Sequence, residues 1–172
     1  ELDAARNALS PDGDLRGVLR VAAPLSFGPT HLAPVLAELA TRYPRLQMQM
    51  SYSDRMVDLV GEGYDAAVRI GSLPDSSLVA RRIAPVRGHI VASPAYIDKH
   101  GAPESLEDLA EHEALLLSSA PWHLTERGKT VTVQPRGRFS ADNGVALTAA
   151  ALARIGIALL PDFLVDVHLE TG

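Results

Sequence analysis

Between Val18 and Gly71 the hydrophobic pattern changes period four times, and this alternation constrains the fold more than any other property of the chain. Val18-Leu19-Arg20-Val21-Ala22-Ala23-Pro24 is a short apolar run ending in proline, which reads as a buried strand. Leu32, Val35, Leu36, Leu39 and Tyr43 then follow the i, i+3, i+4, i+7 spacing of an amphipathic helix, with Pro34 placed to bend its early turns. Leu46 to Tyr52 alternates apolar and polar residues, the period of a half-buried strand. Met56, Val57, Leu59 and Val60 predict a short helix stopped by Gly61 and Gly63, and Asp65 to Gly71 a third strand. Strand, helix, strand, helix, strand with short connections is the pattern of an α/β layer built on a parallel sheet.

The second half of the chain is more broken. Pro74 to Ser77 reads as a turn, and Leu78 to Ser93 as extended chain interrupted by Pro85 and Gly88. Pro94 to Ile97 predicts a short helix with proline in its first turn, and Ser105-Leu106-Glu107-Asp108 a capping box opening another. Ala114 to Ser118, Thr130 to Val133 and Arg138 to Ser140 are strand candidates. Asp142-Asn143-Gly144 opens an alanine-rich helix from Val145 to Ile155, closed by Gly156, whose Ala146, Ala149, Ala150 and Ala153 let neighbouring backbone come close. Ile157 to Pro161 is a further buried strand, and Asp162 caps a final helix. At the other end, Leu2, Ala5 and Leu9 read as a helix end that Ser10 to Asp14 breaks.

Composition removes whole classes of chemistry. None of the 172 residues is cysteine, so thiol nucleophiles, Cys-ligated zinc, iron–sulfur clusters and disulfides are excluded. Sixteen Lys and Arg against 21 Asp and Glu leave a net charge of −5, which argues against this stretch gripping nucleic acid by itself. No apolar run approaches the roughly 18 residues of a membrane-spanning helix. The six histidines lack metal-ligand spacing; Glu111-His112-Glu113 fits a solvated helix end better than a ligand set, so no metal and no cofactor are expected. Gly61-Glu62-Gly63-Tyr64-Asp65-Ala66 matches G-x-G-x-x-A, but the dinucleotide fingerprint needs a strand before it and a helix after, the reverse of the order here. No nucleophile is paired with a base, so no catalytic residue and no enzymatic activity are expected.

Two junctions stand out by position. Ser26-Phe27-Gly28 lies where the first strand hands over to the first long helix, and Asp142-Asn143-Gly144 plays the same part before the alanine-rich helix. Free N–H groups and the positive end of the helix dipole make such places anion sites, with glycine allowing close approach. Ser and Asn are also the residues that cap helices, and both readings stand at this point.

Several of these segments resemble one family. Gly17 to Gly28 resembles the opening strand and helix start of the effector-binding domain of LysR-type transcriptional regulators, and Ser53 to Gly71 is similar to that family's central block. Pro74 to Leu78, Ser93 to Tyr96 and Gly156 to Pro161 continue in the expected order, so the resemblance spans about residues 17–172. It implies a fold like the type 2 periplasmic binding proteins: two Rossmann-like α/β lobes joined by two crossover segments, with a small-molecule cleft between them. Lobe I would comprise 17–87 and 162–172, cut short at its C-terminus, and lobe II 88–161, with 1–16 the end of a linker helix and its connecting loop. Carried over position by position, the effector-binding residues are Pro24, Leu25, Ser26, Phe27, Ser53, Asp54, Ile70, Gly71, Asp142, Asn143 and Gly144. The implied partners are a small anionic or polar effector, further copies in a homodimer or homotetramer (through Leu32–Tyr43 and Met56–Val60), and DNA through an N-terminal helix-turn-helix domain outside these residues. A cytoplasmic location without membrane contact goes with that reading. A periplasmic solute-binding protein and an enzyme of the same fold are the alternatives.

Overall fold

A computed structural model describes residues 15–171 apart from 56, 72 and 74, and the chain divides into two units, Glu1–Ser76 and Ser77–Gly172. The linker-helix expectation for residues 1–14 therefore lies outside the described residues, as do Met56 and Pro74.

In the first unit, β1 (Gly17–Ala23), β2 (Leu46–Tyr52) and β3 (Ala66–Ala67) form a parallel sheet in the order β2-β1-β3. β1 and β2 run in register from Gly17 opposite Leu46 to Ala23 opposite Tyr52. The alternation read in β2 holds, with Gln47 and Gln49 exposed and Leu46, Met48 and Met50 half-buried. The helix after β1 departs from the expectation at its start. Gly28–Leu32 winds as a π-helical turn before α1 (Ala33–Arg42) begins. Pro34 has no N–H to offer the carbonyl four residues back, and Ala33 N–H reaches instead to the carbonyl of Gly28, five residues back.

Two expectations in this unit need correction. The helix expected at Met56–Val60 is not a helix among the described residues. It is a stretch of hydrogen-bonded turns at 59–63, in which Glu62 N–H donates to Asp58 O (2.8 Å), Tyr64 N–H to Leu59 O (2.8 Å) and Gly63 N–H to Val60 O (3.2 Å). The last two bonds are the Schellman pair, with Gly63 at φ +72 supplying the left-handed residue, so the stop follows the start at once. The strand expected from Asp65 to Gly71 pairs regularly only at Ala66–Ala67. β1 itself ends at Ala23, and the following Pro24 has no N–H with which to extend the ladder.

In the second unit, β4 (Gly88–Val91), β5 (Ala114–Leu117), β8 (Phe139–Ala141) and β9 (Ile157–Pro161) form a sheet in the order β4-β9-β5-β8. β5 runs parallel to β8 and β9, whereas β4 is antiparallel to β9. The strands separate two cores by their period of two. Leu115, Ala158 and Leu160 point into one, with Leu147, Ala150 and Ala151 of α4 (Gly144–Leu152) and Val165 of α5 (Asp162–Thr171). Ala114 and Ile157 point into the other, with Tyr96 of α2 (Pro94–His100), Leu109 of α3 (Leu106–Glu111) and Trp122. The last helix, which the resemblance allots to lobe I, thus has Val165 in a core of the second unit.

The capping box is present: Ser105 Oγ accepts from Asp108 N–H at 3.0 Å, and the Asp108 carboxylate accepts from Glu104 N–H at 3.1 Å. Those bonds hold the Asp108 carboxyl below its ordinary value of 3.8, the bond to Ser105 contributing most. Of Leu78 to Ser93, regular strand covers only Gly88–Val91. The expected strand at Thr130–Val133 falls within β7 (Lys129–Val133), and its hairpin partner β6 (Trp122–Glu126) is a strand outside the expected set. The turn between them is Arg127-Gly128, both at positive φ (48 and 79). α4 ends at Leu152 rather than Ile155, and Gly156 does not close it. Arg154, at φ 66, takes the left-handed place, with Ile155 N–H bonded to Ala150 O and Arg154 N–H to Ala151 O. Gly156 is needed for another reason: a Cβ there would lie 2.1 Å from the Glu113 carbonyl oxygen.

Candidate functional site

The carboxyl ends of β1 and β2 lie side by side, because the two strands are parallel and in register to their last residues. Chain leaving β1 supplies Pro24, Leu25, Ser26 and Phe27; chain leaving β2 supplies Ser53 and Asp54. Ser53 N–H donates to Ala23 O at 2.9 Å, which holds the two exits together. Asp54 Oδ1 then lies 3.4 Å from Ser26 N and 3.5 Å from Ser26 Oγ, and Ser53 Oγ accepts from Arg55 N–H at 3.3 Å. Residues 28 apart in sequence are thereby brought together, as α/β topology does at the carboxyl edge of its sheet.

The N–H groups of this junction are already engaged within the chain. Phe27 N–H and Gly28 N–H both donate to Pro24 O, at 3.3 and 2.7 Å, and Ser26 N–H faces the Asp54 carboxylate. Gly28 has a packing reason of its own, since a Cβ there would lie 2.4 Å from the Tyr52 ring. The groups turned outward are Leu25, 47% exposed, the partly exposed Ser26 and Phe27, and the exposed Asp54; Pro24 is buried. Phe27 and His31 bring their rings to 4.9 Å. Ile70 and Gly71 are exposed, and the side of Gly71 where a Cβ would stand is open.

A residue absent from the expected set joins these segments. Arg69 Nη1 donates to Ser53 O and to Arg55 O, both at 3.2 Å, so the chain leaving β3 is tied to the chain leaving β2. Its Nη2 is buried without a hydrogen-bond partner. The feature that could have drawn attention to it is a charged residue inside the otherwise apolar run Ala66-Ala67-Val68-Arg69-Ile70.

In the second unit, Asn143 caps α4. Its Oδ1 accepts from Val145 N–H at 2.9 Å and Ala146 N–H at 3.3 Å, and a Cβ on Gly144 would lie 2.6 Å from Leu164. Capping thus accounts for Asn143 and helix packing for Gly144; Asp142 is exposed beside them. The same unit has an open groove lined by His89, His123, Leu109 and Leu159, none of which is in the expected set. Among the described residues no three His, Cys, Asp or Glu side chains are grouped to hold a metal ion, and no helix is long and apolar enough to cross a membrane.

Comparison with known proteins identifies the family of the chain. Residues 12–172 match the family model described as the LysR substrate binding domain. The chain is 34% identical over 177 residues to an uncharacterized HTH-type transcriptional regulator from Haemophilus influenzae, a match covering all of this chain and 62% of that protein. Among solved structures, the regulatory domain of CrgA, a LysR-type transcriptional regulator from Neisseria meningitidis, aligns with a TM-score of 0.77 at 33% identity, over 91% of this chain and 78% of that one. The full-length Vibrio cholerae virulence activator AphB aligns with a TM-score of 0.81 at 30% identity, over 99% of this chain and 60% of that one. The chain spans 53–62% of the length of the first curated relatives it matches, and these carry the names of transcriptional regulators, not of enzymes. With two α/β units, a parallel carboxyl edge and a family match over nearly its whole length, the chain belongs to the LysR substrate binding domain family, whose fold is of the type 2 periplasmic-binding-protein kind.

Proposed function

We propose that this chain is the ligand-sensing and oligomerisation part of a bacterial LysR-type transcriptional regulator, acting on DNA through a helix-turn-helix domain outside these residues. The observation that carries the proposal is the meeting of Ser26, Ser53 and Asp54 at the carboxyl edge of a parallel sheet in a chain of this family. A small effector binds there against Ser26 Oγ and Asp54, flanked by Pro24, Leu25, Phe27, Ile70 and Gly71. Asp142, Asn143 and Gly144 are the second candidate group. Because the N–H groups at 26–28 already have acceptors, an anionic effector must displace the Asp54 carboxylate, whereas a hydroxyl or amine can donate to it.

The effector works by binding two arrangements of the protein unequally, and that difference shifts the geometry of a homodimer or homotetramer and its hold on DNA. Oligomerisation through α1 is supported by its surface: no residue of the helix is buried, and Val35 is 59% exposed. The protein performs no catalysis in this reading and works in the cytoplasm.

A thermal-shift screen against small carboxylates and aromatics tests the proposal. A specific ligand raises the melting temperature by mass action, and Ser26→Ala abolishes or weakens that shift while leaving the unliganded protein folded. Full response in both Ser26→Ala and Asn143→Ala places the effector elsewhere, and turnover of a ligand in place of saturable binding overturns the sensing role.

A further inference from the structure

We infer that Arg69 is the positioning residue of the Ser26–Asp54 half-site, clamping the chain that leaves β2 so that Asp54 stays against Ser26. The inference rests on the reading of that half-site as the effector's. One nitrogen, Nη1, donates to two carbonyl oxygens, those of Ser53 and Arg55, each at 3.2 Å. Those carbonyls stand on either side of Asp54, so the clamp sets the direction from which the Asp54 carboxylate approaches Ser26 N and Oγ. A cation donating to two neutral carbonyls makes charge-assisted bonds, stronger than the ordinary kind.

The far side of the loop is held separately. The Arg55 side chain forms a bidentate pair with Glu62, Nη1 to Oε1 at 3.4 Å and Nη2 to Oε2 at 3.0 Å, and Glu62 Oε1 also accepts from Asp58 N–H at 3.2 Å. Arg55 is therefore gripped at its carbonyl by Arg69 and at its side chain by Glu62. Arg69 reaches back across the sheet's carboxyl edge, since it follows β3 and its acceptors follow β2. An arginine kept only to staple a loop would be expected to satisfy its interior donors. Here Nη2 is buried and without a hydrogen-bond partner, next to the nitrogen that holds the Ser53 and Arg55 carbonyls.

Tryptic cleavage after Arg55 reads the clamp directly, because cleavage follows the population of the locally opened chain. The 172-residue chain is compared with Arg69→Gln and Arg69→Lys. Arg81 and Arg82, exposed in irregular chain, serve as the internal standard of protease activity, and Arg42 and Arg45, flanking the turn into β2, report on the rest of the unit. Arg69→Gln is expected to speed cleavage after Arg55 by roughly tenfold, the signature of local rather than global opening, with Arg42 and Arg45 unchanged and the amide resonance of Ser26 displaced. Arg69→Lys, which keeps the charge but not the planar fork, restores part of the protection. Unchanged cleavage after Arg55 overturns the inference, and so does equal acceleration at Arg42, Arg45 and Arg55, which would make Arg69 a general support of the unit. The effector reading fails separately, if Ser26→Ala leaves the ligand-induced thermal shift intact while the Arg69 variants still open the loop.

Discussion

Both units are built of strands and helices, and they finish with very different interiors. The second unit buries Leu115, Leu147 and Leu160 almost completely in one core, and Ile157 with Tyr96, Leu109 and Trp122 in another. Among the described residues, the first unit's buried hydrophobic side chains are Val21, Ala22, Ala23 and Val57, none larger than valine, and α1 has no fully buried residue. An apolar stripe at helical spacing therefore makes a helix amphipathic without guaranteeing that the same unit covers the stripe. Leu32, Leu36 and Leu39 are half-buried, and Val35 stands in solvent. Where burial is deep, side chains hold the unit together; where it is shallow, hydrogen bonds at the strand ends do more of the holding, and those bonds lie in the candidate site.

The contrast can be broken most forcefully at Leu147. Leu147→Ala is expected to cost about 2–5 kcal/mol, because it removes a fully buried side chain and leaves a cavity, whereas Val35→Ser should change stability by no more than about 0.5 kcal/mol. The fluorescence of Trp122, the single tryptophan, reports unfolding of the second unit specifically, so urea titration followed at that residue checks the first of these. Equal losses in the two variants would erase the distinction between the units.

Gly28→Ala tests whether the first unit is rigid anywhere. The new methyl would meet the Tyr52 ring, and a cost of about 1–3 kcal/mol is expected if the π-helical turn cannot yield. Hydrogen exchange of the β1 and β2 amides measures it, and wild-type protection would mean that the ring simply moves aside. Asn143→Ala removes a cap with two acceptor contacts and should cost about 0.5–2 kcal/mol, seen as faster exchange at Val145 and Ala146. Loss of effector response with no change at those amides would instead make Asn143 a ligand contact first.

The smallest effect concerns pH. The Asp108 carboxyl is held below its ordinary value by Ser105 and the Glu104 N–H, so its contribution to capping α3 is present above the ordinary carboxylate pKa. That contribution is lost as pH falls through the lowered value, below about pH 4. The Glu104 amide resonance should follow that titration in the wild type and stay flat in Asp108→Asn.

Much of the architecture was legible because it depends on neighbours in sequence. The period of two in Leu46–Tyr52, the capping box at Ser105 and the cap at Asn143 are local patterns, and each forms as read. The structure departs from the sequence pattern where a glycine marks a stop by composition alone. Gly156 looked like the end of α4, yet Arg154 supplies the left-handed residue and Gly156 makes room for a carbonyl. The β6–β7 hairpin was half seen, because Arg127 is an unusual residue for the first position of a turn that needs positive φ.

At the candidate site, the sequence pointed to the segments and the structure decided how they are used. Ser26 and Asp54 were both expected there, but only the parallel register of β1 and β2 brings them together. Arg69 escaped notice because its acceptors are backbone carbonyls 14 and 16 residues away, and a backbone acceptor has no identity in the sequence. Hydrophobic period, caps and composition act over a few residues, so the sequence by itself determined the α/β class, most of the order of elements and the absence of thiol chemistry. Which glycine serves a turn and which a close approach, and which side chains converge at the strand ends, depend on contacts between distant segments. Only the tertiary structure decided these, since strand register and packing set which distant groups come within bonding distance.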